Sequence, residues 1–178
     1  ILWAANLSAG SAHWALIVAR GWLVYDLTDS SSLVGLVTFA AMIPRLLVTP
    51  FAGYLVDRFD RRSVLPWTFV INLLHNSLLT FLTLMNFIAV WHLVILSLIN
   101  GSVRATQMPA GAALVPNVVS HENLLNAIAL NSATQHGSRL LGPAAIAPLL
   151  TLVGVGSAFL LCSVFYGSGL ILVSCLRV

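Results

Sequence analysis

Six long apolar stretches separated by short polar punctuation run the length of the chain. They occupy positions 2 to 25, 32 to 56, 64 to 85, 90 to 115, 124 to 151 and 156 to 176. Each has room for the roughly 20 apolar residues that carry an α-helix across a hydrocarbon core about 30 Å thick. The pattern predicts an all-α integral membrane protein, a bundle of six transmembrane helices. The breaks have physical reasons. Asp26 to Ser32 is a turn-forming polar cluster, and the charged run Asp57 to Arg62 is too costly to sit in hydrocarbon. Pro66 is expected in a helix's first turn, where its missing N–H costs nothing. Pro116-Asn117 and Ser120 to Asn123 separate spans four and five, with Ser120 or Asn123 as N-cap. Met85-Asn86 and Val153 to Gly156 mark the two weaker breaks.

Composition agrees with this environment. Hydrophobic residues make up 59% of the chain and charged residues 7%, against about 25% charged in an average soluble domain. The net charge of +3 comes from eight basic residues, all of them arginine. They do not cluster as a nucleic-acid footprint requires; four fall inside spans, and Arg58, Arg61 and Arg62 read as a topology signal. Cytoplasmic loops are enriched in Arg and Lys. Those three and Arg177 lie on one side, and Asp26 and Asp29 on the other, which predicts both ends of the segment in the cytoplasm of a cell (inner or plasma) membrane protein. Trp22, Trp67 and Trp91 fall near helix ends, as an interfacial aromatic belt requires; Trp14 does not.

Cys162 and Cys175 share one predicted helix, about 20 Å apart at 1.5 Å per residue, too far to bond. The five histidines show no metal-ligand spacing on one helix face, so neither metal nor cofactor is expected. The chain opens on Ile1 with the first span beginning at once, which reads as a truncated N-terminus. The segment is too long for a signal peptide and lacks its basic leader and cleavage site. The whole chain, 1 to 178, reads as one membrane domain.

Polar residues inside the spans carry the functional information, because charge in a membrane usually faces a cavity or a partner. Asn6, His13 and Arg20 recur every seven residues along one slowly drifting face of span one. Span four carries Asn100, Arg104, Gln107 and Gly111, and span five carries Asn131, Gln135, Ser138 and Arg139. Spans one, four and five are the candidates to line an aqueous path, whereas span six reads as lipid-facing or purely packing. Each arginine has a plainer alternative. Arg20 is close enough to a helix end to snorkel, and Arg45, after Pro44, is placed to satisfy carbonyls freed by a kink. Arg104 and Arg139 lie nearer mid-helix.

The decapeptide Gly53-Tyr-Leu-Val-Asp57-Arg58-Phe-Asp60-Arg61-Arg62 resembles the Gly-x-Leu-Ala-Asp-Arg-x-Gly-Arg-Arg loop of the major facilitator superfamily, which joins helices two and three. Asp60 stands at the usual second Gly; Asp tolerates the left-handed backbone better than most residues. Arg104 followed three residues later by Gln107 is similar to the fourth-helix pattern, with Met108 where Gly is usual. Arg139-Leu-Leu-Gly142-Pro143 is similar to the Gly-Pro element of antiporters, with Ile146-Ala147 at the expected Gly-Gly. Ala19 to Thr28, Pro109-Ala110, Leu114 to Pro116 and Asn126 to Ser132 resemble the enterobactin-exporter-like and macrolide-efflux-like subgroup.

The resemblance implies one half of a twelve-helix fold, the N-terminal six-helix half, itself two inverted three-helix repeats, with the C-terminal half as missing partner. No sequence repeat is visible between residues 1–85 and 90–176. It implies export of a small-molecule substrate, drug-like or siderophore-like, by alternating access, with protons as coupling ion in antiport. Asn6, His13, Arg20, Arg104, Gln107, Asn131, Gln135 and Arg139 are the substrate-cavity candidates. Gly53, Asp57, Arg58, Arg61 and Arg62 form the gating motif, and Gly142 and Pro143 serve helix packing. No Asp or Glu falls within the predicted spans beyond the signature loop. A proton site in this half therefore falls to Asp26 or to His13, whose plainer reading is a packing histidine, and otherwise to a carboxylate of the other half. The unmatched arginines point either to an anionic substrate group or to acids supplied by that half.

Two other classes remain. One is a six-helix unit that pairs with itself into a carrier or pore. The other is a rhomboid-type protease, suggested by Gly167-Ser168-Gly169; no histidine follows Ser168 to serve as its base, so no enzyme is expected.

Overall fold

The computed structural model describes the backbone of residues 1–58, 61–119 and 121–175, and their side chains apart from positions 50, 52–58, 61–63, 113–118 and 121. Six helices follow one another: α1 (Leu2–Thr28), α2 (Ser31–Arg58), α3 (Arg61–Leu84), α4 (Val90–Val118), α5 (Leu124–Leu152) and α6 (Val155–Ser174), with a 3-10 turn at His121–Asn123. The described residues contain no strand.

Helix ends follow local chemistry. The first helix runs past the end of its apolar stretch at residue 25 because the Thr28 hydroxyl donates to the Val24 carbonyl (2.7 Å). Asp29 then turns left-handed (φ 50°) and donates its N–H to the Tyr25 carbonyl. Helix α3 starts at Arg61, earlier than the apolar pattern predicts, so Pro66 falls inside the helix instead of in its first turn. There it removes one backbone bond, to the carbonyl four residues back. The N-cap of α5 is Asn123; Ser120, the other candidate, lies outside the described residues. Gly154, with φ 105°, supplies the turn into α6 that a side chain would strain.

Helix α1 packs against α5, α6 and α2, helix α4 against α2 and α3, and α3 against α6. Exchanging the first three helices for the last three maps the main pairings onto one another. The α1/α5 pair becomes α4/α2, the α1/α6 pair becomes α4/α3, and α3/α6 becomes itself. Both members of the first exchange use a glycine. A Cβ on Gly142 of α5 would collide with the Ser11 carbonyl of α1, and one on Gly101 of α4 with the Ala41 carbonyl of α2. Small residues let helix backbones approach in a membrane, where hydrophobicity does not drive helices together. For the same reason α1 buries an alanine face, Ala5, Ala9, Ala12, Ala15 and Ala19.

The outside of the bundle is apolar. Trp22, Trp67 and Trp91 are exposed, as are Phe39, Leu46, Leu74 and Ile171. Among the described residues three segments are long and apolar enough to cross a membrane by length and composition: Ser31–Thr49, Val64–Leu84 and Val155–Ser174. Helices α1, α4 and α5, of 27, 29 and 29 residues, are long enough but carry polar side chains in mid-length. The chain is thus a multi-pass membrane helical bundle. Helix α6 is a packing helix, with Phe159, Cys162 and Tyr166 buried and Tyr166 edge-on to Phe69 at 6.5 Å.

Candidate functional site

The three polar helices converge on one pocket. Asn6 and Gly10 come from α1, Arg104, Gln107, Met108, Gly111 and Ala112 from α4, and Asn131, Gln135 and Ser138 from α5. Its cavity volume is about 30 Å³. Glycines make the room: the Asn6 amide lies 3.5 Å from where a Gly111 Cβ would stand, and Ser138 Oγ 2.6 Å from that of Gly10. Arg104 Nη1 donates to Gln107 Oε1 (3.0 Å), which fixes the amide so that its NH₂ group points the other way. That Nε2 and Arg104 Nε are buried without a partner.

A second pocket, of about 160 Å³, lies between α1 and α2. Its walls are His13, Trp14, Ile17 and Arg20 of α1, Val37, Thr38, Ala41, Met42 and Arg45 of α2, and Ser97 of α4. Between the two pockets Arg45 Nη2 donates to Met108 Sδ at 3.2 Å. Among the described residues no acidic side chain lines either pocket.

Arg20 does not snorkel. It is 3% exposed, and its guanidinium donates to Ser97 Oγ (2.7 Å) and Asn100 Oδ1 (2.9 Å) on α4. Asn100 in turn donates to Asn72 Oδ1 on α3 (2.8 Å). Three helices are thereby tied by neutral acceptors around one buried cation. Arg139 is exposed and lies over the Trp14 ring, 5.0 Å from its centroid, a cation–π geometry.

Of the cavity candidates, Asn6, Arg104, Gln107, Asn131 and Gln135 share the first pocket, His13 and Arg20 the second, and Arg139 lines neither. The seven-residue stripe of α1 is thus divided between the pockets. Gly142 packs against Ser11 and the Ala15 backbone, and Pro143 lies inside α5. The side chains of Gly53, Asp57, Arg58, Arg61 and Arg62 lie outside the described residues, as does Arg177. Ser168 is engaged with Ser8 Oγ (2.8 Å) and the Phe165 carbonyl (2.9 Å). Among the described residues no group of three or more His, Cys, Asp or Glu side chains comes together as a metal site would need.

A family profile described as transmembrane secretion effector matches residues 1–177. The chain belongs to that family. Among curated relatives of this secretion-effector chain, it is 23% identical to the staphyloferrin A transporter of Staphylococcus aureus (strain NCTC 8325 / PS 47) over 155 residues, which cover 86% of this chain and 39% of that protein. It is 25% identical to macrolide efflux protein A of Streptococcus pyogenes over 148 residues, 83% of this chain and 36% of that protein. The chain therefore spans well under half the length of these relatives.

Several residues of the polar interior escape a reading centred on charge. Asn72, Asn76 and Thr80 of α3 each bond the backbone carbonyl four residues back, at 2.8 to 2.9 Å, and are buried. Thr68, Asn72, Asn76 and Thr80 stand at strict four-residue spacing, a signal visible in the sequence. Ser97 and Tyr166 gave no such signal.

Proposed function

We propose that this chain is the N-terminal six-helix half of a twelve-helix major facilitator exporter that moves a small molecule outward by alternating access. The observation that carries the reading is the pocket walled by the polar helices α1, α4 and α5, with Arg104 and Gln107 presenting buried, unpartnered donors. Buried donors on a cavity wall are costly unless a ligand meets them. The interchange of helix pairings between the first and last three helices supports an inverted repeat. The family match and the efflux and siderophore relatives support a drug-like or siderophore-like cargo.

In this reading the second half closes the site from the opposite side, and rocking of the halves exposes it to each face of the membrane in turn. Asp57, braced by Arg58, Arg61 and Arg62, holds the state closed to the cytoplasm. Protons drive the cycle, and the coupling carboxylate belongs to the other half. Both ends of this segment face the cytoplasm in the inner membrane.

The test is the intact mass of the native polypeptide purified from its own membrane. A mass near twice 19.0 kDa is the expected result. A mass near 19.0 kDa would contradict the two-half assembly and favour a six-helix unit that pairs with itself.

A further inference from the structure

The two pockets share one electrostatic property: among the described residues, the charged side chains that line them are all arginines. Arg104 lines the first pocket and Arg20 and Arg45 the second, and among the described residues no carboxylate lines either. Uncompensated charge in a membrane interior is costly enough that it is normally paired. The neutral partners present, Ser97, Asn100 and Gln107, accept hydrogen bonds without cancelling charge.

The unpartnered atoms agree. Gln107, 3% exposed, turns its free NH₂ away from Arg104, and Arg104 Nε and Arg20 Nε are likewise buried without acceptors. All three are donors. The second pocket adds an apolar lining, from Trp14, Ile17, Val37 and Met42, beside the same arginines.

We infer that the cargo of this site is an organic anion: an oxygen-acceptor head group, carboxylate or a similar oxyanion, held by Arg104 and Gln107, joined to an apolar body that lies along Trp14 and Met42. The inference rests on the exporter reading above and narrows it. Arginine's planar fork and the amide N–H together match two acceptor oxygens, whereas a cationic cargo would meet repulsion from the arginines that line these two pockets.

The test uses two probes of matched shape and opposite charge, 1-naphthoate and 1-naphthylmethylammonium, with the full-length parent polypeptide in nanodiscs and in proteoliposomes. Saturable naphthoate binding is expected, with the ammonium probe excluded. Arg104→Gln is expected to weaken naphthoate binding about tenfold or more, the scale of a lost charge-assisted hydrogen bond, and Arg104→Lys to restore part of it. Gln107→Leu, which keeps the bulk, reports on the same site should Arg104→Gln fail to fold. Binding of the ammonium probe in preference to naphthoate, binding of neither, or naphthoate affinity untouched by folded Arg104→Gln and Gln107→Leu proteins would overturn the inference. Binding as described without movement across proteoliposome membranes under any gradient would contradict the exporter reading and leave the anion site standing. Transport of the cation alone would do the reverse.

Discussion

The Arg20 guanidinium of α1 is closed onto Asn100 of α4 at 2.9 Å, and Asn100 passes its own amide hydrogen to Asn72 of α3 at 2.8 Å. One amide thus serves two helices at once, as acceptor toward the cation and donor toward Asn72. Asn100→Leu strands both partners in a buried site, and a loss of about 1–3 kcal/mol of stability is expected. Denaturant titration of the protein in detergent micelles measures it. The double variant Arg20→Met with Asn100→Leu is expected to lose less than the sum of the singles, because no unpaired cation is left behind.

Gly142 and Gly101 mark the α1/α5 and α4/α2 crossings, each facing a backbone carbonyl that a Cβ would strike. Backbone atoms cannot swing aside as a long side chain can, so Gly142→Val and Gly101→Val should each cost about 1–3 kcal/mol. Gly35, with nothing near its Cβ position, is the control, and Gly35→Val should be close to neutral. The same titration, with retention on size exclusion, distinguishes them.

Trp14 lies beneath Arg139 at 5.0 Å and forms a wall of the second pocket. Trp14→Phe keeps a weaker π face and Trp14→Ala removes it. Loss of an exposed cation–π contact is worth about 0.5–1 kcal/mol, so Trp14→Ala should change stability little. Its effect should fall on transport, by opening the pocket wall, with Trp14→Phe in between. Equal transport by all three forms would remove Trp14 from the cargo path.

Asp57→Asn keeps the shape of the signature loop and removes its charge. The gating role predicts normal membrane insertion, read by yield and localisation, together with impaired efflux. Unchanged efflux would end that role for Asp57.

Much of this architecture is legible in the chain because lipid imposes a strong rule: each crossing must be a long helix with its backbone satisfied internally. Residue type alone located the break within Asp26 to Ser32, which in the structure narrows to Asp29 and Ser30. Asn6, Arg104, Gln107, Asn131 and Gln135, which share one pocket, stood out because polar groups in an apolar span need a reason. Partnership was not legible. Arg20 looked able to reach the interface, and its inward bonds to Ser97 and Asn100 depend on how α1 crosses α4, which a single sequence does not specify. Asn72 and Asn76 carry their signal in a four-residue spacing with Thr68 and Thr80, which a reading centred on charge passes over. Pro66 was misplaced because α3 begins among charged residues that the apolar pattern does not include.

The central claim is that the pocket walled by α1, α4 and α5 opens to each side of the membrane in turn. Asn131, half-buried on its wall, is the position to ask. In a cysteine-free form of the full-length parent polypeptide, with Cys162 and Cys175 replaced by Ser, Asn131→Cys is treated with a membrane-impermeant maleimide in right-side-out and inside-out vesicles. Labelling in both orientations, with the ratio of the two rates shifting when a proton gradient is imposed, is the predicted result. Labelling from one face alone, under every gradient, would contradict alternating access at this site.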